Sequence, residues 1–224
     1  MGLTVAVIPC RAGSRRLPNK NVGVKLCGKL LFEWTAKAAL DSGVFDKVVV
    51  ISNGDKVEAR AKEMDGITYM YQPAEVAHPT ATSESVMYHV IDQLEKQGDS
   101  VEWVSLLQIT SPLRSADDIK AAWDGMHEAG AESCLSACSN LGFRWDRWTG
   151  WPIDFDYKER PPTTEREHIA QENGAIYFCK SADLKKSMCR LNGDIHIHIM
   201  PEWKNVDIDT ADELRVAERM MGYE

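Results

Sequence analysis

The chain has 224 residues, 44% hydrophobic and 27% charged, with 26 Lys+Arg against 34 Asp+Glu and a net charge of -8. Such a composition can bury one substantial core, or one core plus a small appendage, and reads as soluble and globular. It excludes general affinity for nucleic acid or anionic membrane surfaces, no apolar run approaches a membrane span, and MGLTVAVIPCRAG lacks the features of a secretory signal.

No lipid anchor is expected, because Met-Gly is not followed by Ser or Thr at the myristoylation position. Cys10, Cys27, Cys134, Cys138, Cys179 and Cys189 show no C-x-x-C zinc spacing, so reduced thiols and a cytoplasmic location are expected.

Apolar runs and amphipathic stretches then alternate. Strands are predicted at Thr4 to Ile8, Lys47 to Ile51, Thr68 to Tyr71, Trp103 to Gln108, Cys134 to Ala137, Ala175 to Cys179 and Ile195 to Met200. Between them, LFEWTAKAALDSG stops at Gly43, and SESVMYHVIDQLEKQG carries Val86, Met87, Val90, Ile91 and Leu94 on one stripe and stops at Gly98. SADDIKAAWDGMHEAG opens with Ser115 three residues before Asp118, and the last helix has Thr210 as N-cap with Glu213 at the matching position. This order predicts an α/β fold, a mostly parallel sheet with helices on both faces, in a single domain over 1–224.

The alternation breaks between Leu141 and Asn173, where Trp145, Trp148, Trp151 and ERPPTTERE read as an inserted segment. A satellite core or subunit contact accounts for these tryptophans better than a sugar site does. In SCLSAC the two cysteines share one strand face as small buried hydrophobes. His196 and His198 also share a face. With no third ligand nearby in sequence, an exposed sheet face is expected rather than a metal site.

The loop PCRAGSRRLPNKN follows the first strand with Arg11, Arg15, Arg16 and Lys20, a Gly13-Ser14 bend and Pro18 to stiffen the return. Backbone amides and fixed cations at the carboxyl edge of a sheet suit a polyphosphate, although a solvated basic turn has the same composition. The loop is neither G-x-x-x-x-G-K-[ST] nor G-x-G-x-x-G. Near the other terminus, NVDIDTADEL places Asp207 and Asp209 on one side of an extended segment, a spacing suited to two ligands on one Mg²⁺. Capping of the following helix is the competing account. Together the two motifs supply what phosphoryl or nucleotidyl transfer requires.

IPCRAGSRRLPNKNV, GKLL, FDKVVVIS, SLLQITSPLRSADDI, ENGAIYF and VDIDTADEL occur in the order found in CMP-sialic acid synthetases, the acylneuraminate cytidylyltransferases. The resemblance runs from about Ala6 to Ala217. It implies a Rossmann-like nucleotidyltransferase fold, CTP and a nonulosonic sugar acid as substrates, Mg²⁺ as cofactor, and a homodimer; no family position carries over to residues 143–170, and the inserted segment 141–173 is expected as the dimerisation element on its composition. It puts Arg11, Ala12, Gly13, Ser14, Lys20 and Asn21 around the nucleotide, Gln108, Asn173, Gly174 and Tyr177 on the sugar side, and the metal on Asp207 and Asp209. Arg11, Lys20 and Asp209 are the implied catalytic groups. Cys10, Leu30 and Ile109 depart from the family pattern in packing only. Gln72 replaces an Arg associated with the cytosine pocket, which puts base recognition in question.

The implied reaction is attack by the anomeric hydroxyl of a 2-keto sugar acid on the α-phosphorus of CTP. Competing readings are a 3-deoxy-manno-octulosonate cytidylyltransferase, a nucleotidyltransferase for a different alcohol or sugar phosphate, and a non-catalytic nucleotide-binding module.

Overall fold

From Val5 to Ile8 no side chain reaches solvent, so the first strand must be covered on both faces. In the computed structural model, which describes residues 2–13, 17, 19–78, 80–166 and 169–222, β1 (Leu3–Pro9) is the central strand of the main sheet. The remaining strands of that sheet are β4 (Lys47–Ser52), β5 (Ile67–Tyr71), β6 (Val101–Leu106), β7 (Ser133–Ser139), β8 (Ala170–Lys180) and β9 (Ile195–Met200). They form a seven-stranded sheet of order β5-β4-β1-β6-β8-β7-β9. Only β8 runs antiparallel to its neighbours β6 and β7. A two-residue hairpin, β2 (Lys25–Leu26) with β3 (Lys29–Leu30), stands apart.

Alternate β1 residues feed two cores. Ala6 and Ile8 join one, with α2 (Leu31–Asp41), α3 (Asp55–Lys62), α6 (Ala116–Glu128) and α8 (Ala211–Met221), while Val5 and Val7 join the other, with α5 (Ser83–Lys96) and α7 (Ser181–Ser187). Helices therefore lie on both faces, as the strand-helix alternation predicts. Two four-residue helices, α1 (Lys20–Gly23) and α4 (Ala74–Ala77), sit at the carboxyl edge of the sheet. Ser115 and Thr210 both close capping boxes, with Asp118 and Glu213. Cys134 and Cys138 are buried in the same core, and all six cysteines are free thiols.

The predicted strand ending at Gln108 stops at Leu106, and the chain then turns into the sheet edge. β8 starts at Ala170, inside the segment read as an insertion. Before it, residues 141–166 build a satellite core. Phe143 and Phe155 pack at 4.7 Å, and Arg144 and Arg166 converge on Asp154 at 2.9 and 3.0 Å. Trp145 bridges to Pro152 and packs on Phe155, but Trp148 at the hairpin tip is 83% exposed.

The expectation for β9 is reversed. His196 and His198 are half-buried and turn toward α6, where Gly125 leaves room for the His196 ring, whereas Ile195, Ile197 and Ile199 are exposed. A Cβ at Gly125 would lie 2.7 Å from His196 Nε2, so close contact there depends on glycine.

No helix among the described residues is long and apolar enough to cross a membrane.

Candidate active site

The carboxyl ends of the parallel strands β1 and β6 open into a cleft of about 550 Å³. This is where open α/β sheets place their ligands, because the connections on either side diverge to opposite faces. Its wall includes Pro9, Arg11, Lys20 and Asn21 from the amino-terminal loop, Leu106, Gln108, Ile109 and Thr110 from the end of β6, and Asp207 and Asp209 from the carboxyl-terminal arm. Gln72, Val76, Ala81, Thr82, Ser83 and Val86 close the remaining side.

The amino-terminal loop is held from β4. Cys10 N–H donates to the Ile51 carbonyl at 2.8 Å, Ser52 Oγ donates to the Cys10 carbonyl at 2.7 Å, and Ala12 N–H donates to Asn53 Oδ1 at 2.7 Å. The Ala12 amide is thus engaged within the protein and off the cleft wall. Gly13 adopts φ 91° with open space around its Cα, a conformation few residues other than glycine reach. Ser14 lies outside the described residues. Arg11 Nη1 donates to the His78 carbonyl at 3.0 Å, linking the loop to the segment before α5, and Asn21 Nδ2 donates to the Arg11 carbonyl at 3.0 Å.

Lys20 joins the two termini. Only 5% exposed, it donates from Nζ to the Ile208 carbonyl and to Asp209 Oδ1, both at 2.7 Å. Ile208 is fully buried in the core, so the extended arm turns Asp207 and Asp209 the other way, onto the cleft. Backbone pairing fixes that arm, since Ile208 N–H donates to the Thr110 carbonyl at 2.7 Å. Asp209 N–H donates to Glu213 Oε2 at 2.8 Å, so the first turn of α8 both receives its cap and holds the aspartate backbone. Capping and cleft-lining coexist: Thr210 caps, and the aspartates face the cleft.

On the other flank, Gln108 is half-buried beside Gly174, where an added Cβ would lie 3.2 Å from Gln108 Oε1. Three residues read as sugar-side groups, Asn173, Gly174 and Tyr177, are not on the cleft wall. Asn173, 8% exposed, spends its amide on Ser136, Ala175, Cys138 and Met200, holding the irregularity between β7 and β8. Tyr177, 2% exposed, donates its hydroxyl to Glu172 Oε1 and lies under the Arg190 guanidinium at 4.3 Å. Burial first, then the Glu172 carboxylate, pushes its phenol pKa up.

Several cleft groups went unread in the sequence. Thr82 and Ser83 line the cleft at the start of α5, where Thr82 accepts from Ser85 N–H at 3.2 Å; the T-S-E-S helix start is the signal for them. Gln72, read only as a departure, is 1% exposed and donates Nε2 to the Val76 carbonyl at 2.7 Å. Behind the wall, Arg114 is 3% exposed and donates Nη1 to the carbonyls of Gln108 and Ala175 at 3.2 and 2.6 Å. Burial lowers its pKa toward about 9, so the guanidinium stays charged at neutral pH.

The geometry is one cleft wall on which Arg11 and Lys20 meet the Asp207 and Asp209 carboxylates, with Lys20 paired to Asp209, a set suited to a polyanion carried with a divalent cation. Comparison with known proteins gives the family. The sequence profile of a cytidylyltransferase family matches residues 5–178. N-acylneuraminate cytidylyltransferase of Oncorhynchus mykiss is 28% identical over 222 residues, covering 96% of this chain and 49% of that one. Pseudaminic acid cytidylyltransferase of Campylobacter jejuni is 25% identical over 223 residues, covering 95% of this chain and 94% of that one. The chain therefore spans about half the length of the fish relative and nearly all of the bacterial one.

Among solved structures, a CMP:2-keto-3-deoxy-manno-octonic acid synthetase complexed with CTP superposes with a TM-score of 0.75 over 98% of both chains at 16% identity. A 4-diphosphocytidyl-2C-methyl-D-erythritol synthase from Anaerococcus prevotii gives 0.69 over 99% of this chain and 96% of that one at 14% identity. These likenesses establish the nucleotidyltransferase fold. Because the family profile spans most of the chain, from β1 into β8, the chain belongs to the cytidylyltransferase family.

Proposed function

We propose that the protein transfers the cytidylyl group of CTP to a nonulosonic, sialic-type sugar acid, giving a CMP-sugar and pyrophosphate. The observation that carries this reading is the single cleft shared by Arg11, Lys20 and Asn21 with Asp207 and Asp209, nearly two hundred residues apart in sequence. The N-acylneuraminate and pseudaminic acid cytidylyltransferases among the relatives support the substrate class.

In the reaction, the anomeric hydroxyl oxygen forms a bond to the α-phosphorus. The bond from that phosphorus to the bridging oxygen breaks, pyrophosphate leaves with the electron pair, and the hydroxyl proton passes to solvent. Arg11 and Lys20 hold the triphosphate and stabilise the charge that develops on the leaving pyrophosphate. Lys20 is neutralised by Asp209 in the structure, and an arriving polyphosphate offers it a second anionic partner. Ala12 anchors the loop to Asn53 from behind, Gly13 and Ser14 continue that loop toward the nucleotide, and Asn21 borders it. Gln108 meets the sugar acid, Gly174 leaves room for the Gln108 amide, and Asn173 and Tyr177 shape the strand behind them.

Asp207 and Asp209 fit Mg²⁺: both are hard oxygen donors on one cleft wall, and Mg²⁺ is commonly held by one or two carboxylates completed by substrate phosphates. When bound, the cation neutralises phosphate charge and lowers the pKa of the attacking hydroxyl. A homodimer through residues 141–166 and a reducing, cytoplasmic setting for the free thiols complete the proposal.

Pyrophosphate release tests it, with CTP and Mg²⁺ and a panel of sialic, legionaminic, pseudaminic and 3-deoxy-manno-octulosonic acids. Turnover with a nine-carbon acid and CTP is expected. Turnover restricted to the eight-carbon acid would move the assignment to the octulosonate branch, and nucleotide binding with no release for any acid would overturn it.

A further inference from the structure

Lys204 and Asp118 form a buried ion pair outside the groups that face the cleft. Both are 9% exposed, and Lys204 Nζ donates to Asp118 Oδ2 at 2.6 Å and to Ser115 Oγ at 3.1 Å. Burying two charges is costly enough that a well-packed apolar pair of the same volume is often as stable or more so, so stability alone does not account for this choice. Its location does. Lys204 ends the short 3-10 turn Glu202–Lys204, immediately before the arm that carries Asp207 and Asp209. Downstream, the arm is fixed by Lys20 at Ile208 and Asp209 and by the Thr110 carbonyl at Ile208 N–H. Upstream, Lys204 is the charged anchor that ties the arm to a rigid element, the first turn of α6.

The residue leading into that turn also holds Gln108 of the cleft wall. Arg114, one residue before the Ser115 cap, holds the carbonyls of Gln108 and Ala175. Gln108 and the aspartate arm are thus mounted on one helix start, through Arg114 and Asp118 respectively. We propose that Lys204, through its pair with Asp118, is a positioning residue that sets Asp207 and Asp209 for a divalent cation. The inference rests on the reading of those aspartates as the cation site.

Loss of groups that orient metal ligands commonly costs 10–100-fold in metal affinity. Lys204→Met is expected to weaken Mn²⁺ binding by about tenfold, the low end of that range, because Asp209 keeps its other anchors. The measurement is the free Mn²⁺ signal by electron paramagnetic resonance, with the full chain and neither nucleotide nor sugar acid present. Lys204→Arg, which keeps the charge, is expected to restore most of the affinity, and the KM for CTP is expected to stay near that of the parent in all variants. Should Lys204→Met not fold, Asp118→Asn/Lys204→Met removes the pair without stranding a charge and carries the same expectation. Folded variants that bind Mn²⁺ like the parent, while Asp207→Asn does not, would overturn the positioning role alone. Equal Mn²⁺ binding by the parent and Asp207→Asn would remove the cation site itself and the inference with it.

Discussion

Lys20 and Asp209 are each other's partners in the structure and separate members of the proposed machinery, so stability and activity respond to them differently. Their side chains are 6% and 14% exposed. Breaking a buried pair by removing one member costs about 3–5 kcal/mol, with the lower end expected here because Asp209 retains some solvent. Lys20→Met and Asp209→Asn are each expected to lower kcat by about 10²–10³. The double variant is expected to recover part of the lost stability and none of the activity, which urea midpoints and pyrophosphate release on the same preparations would show. Recovery of activity with stability would mean that the pair is structural only. Gly174 makes a second, sharper case. Its φ of +74° is costly for a residue with a Cβ, by about 1–2 kcal/mol, and that Cβ would also press on Gln108 Oε1. Gly174→Ala is therefore expected to raise the KM for the sugar acid while leaving the KM for CTP unchanged. Equal rises in both would argue that the substitution merely loosens β8.

At the scale of elements, the start of α6 carries more than its cap. Burial pushes the Asp118 carboxyl up, but bonds from Lys204 and from the backbone and side chain of Ser115 outweigh it and hold the pKa below the usual carboxylate range. A carboxyl depressed in the folded state stabilises the fold above its unfolded pKa and loses that contribution as pH falls through the folded value. Lys204→Met removes one of the depressing bonds. The stability gap between parent and variant should hold from neutral pH down to about 4 and narrow below it, as urea midpoints across that range would reveal. A gap that widens in acid would contradict this assignment. Sequence showed only half of this element: the S-x-x-D spacing of Ser115 and Asp118 announces a cap, but nothing near Lys204 announces a partner 86 residues away. The parallel strands were legible for the opposite reason, since β1 and β4 are buried on both faces and read as unbroken apolar runs. α3 escaped because DKVEARAK buries only Val57 and Ala61, too thin a stripe to show a helical period. The β9 face was misread because a strand alternating Ile and His does not say which side its neighbours cover; α6, with Gly125 at the contact, decides it.

On the scale of the whole molecule, the segment between β7 and β8 stands outside the two cores yet is internally organised. Asp146 Oδ1 accepts from the N–H groups of Trp148 and Thr149 at 2.9 and 2.7 Å, closing the hairpin tip, while Phe143, Phe155 and Arg166 pack its base. A hairpin rigid enough to hold Trp148 and Trp151 at 83% and 62% exposure presents large aromatics at little further entropic cost, the composition of a contact that recognises another surface. If a second copy receives that tip, Trp148→Ser/Trp151→Ser should sediment as a monomer at concentrations where the parent is a dimer. The variant should also keep its unfolding midpoint at low concentration, because the base of the hairpin is untouched. Its pyrophosphate release would then separate two roles for the dimer: unchanged turnover in the monomer means that each cleft works alone, and lost turnover means that the neighbouring chain completes it. A parent that sediments as a monomer up to tens of micromolar would remove the dimer from the proposal and leave the exposed tryptophans to a different partner.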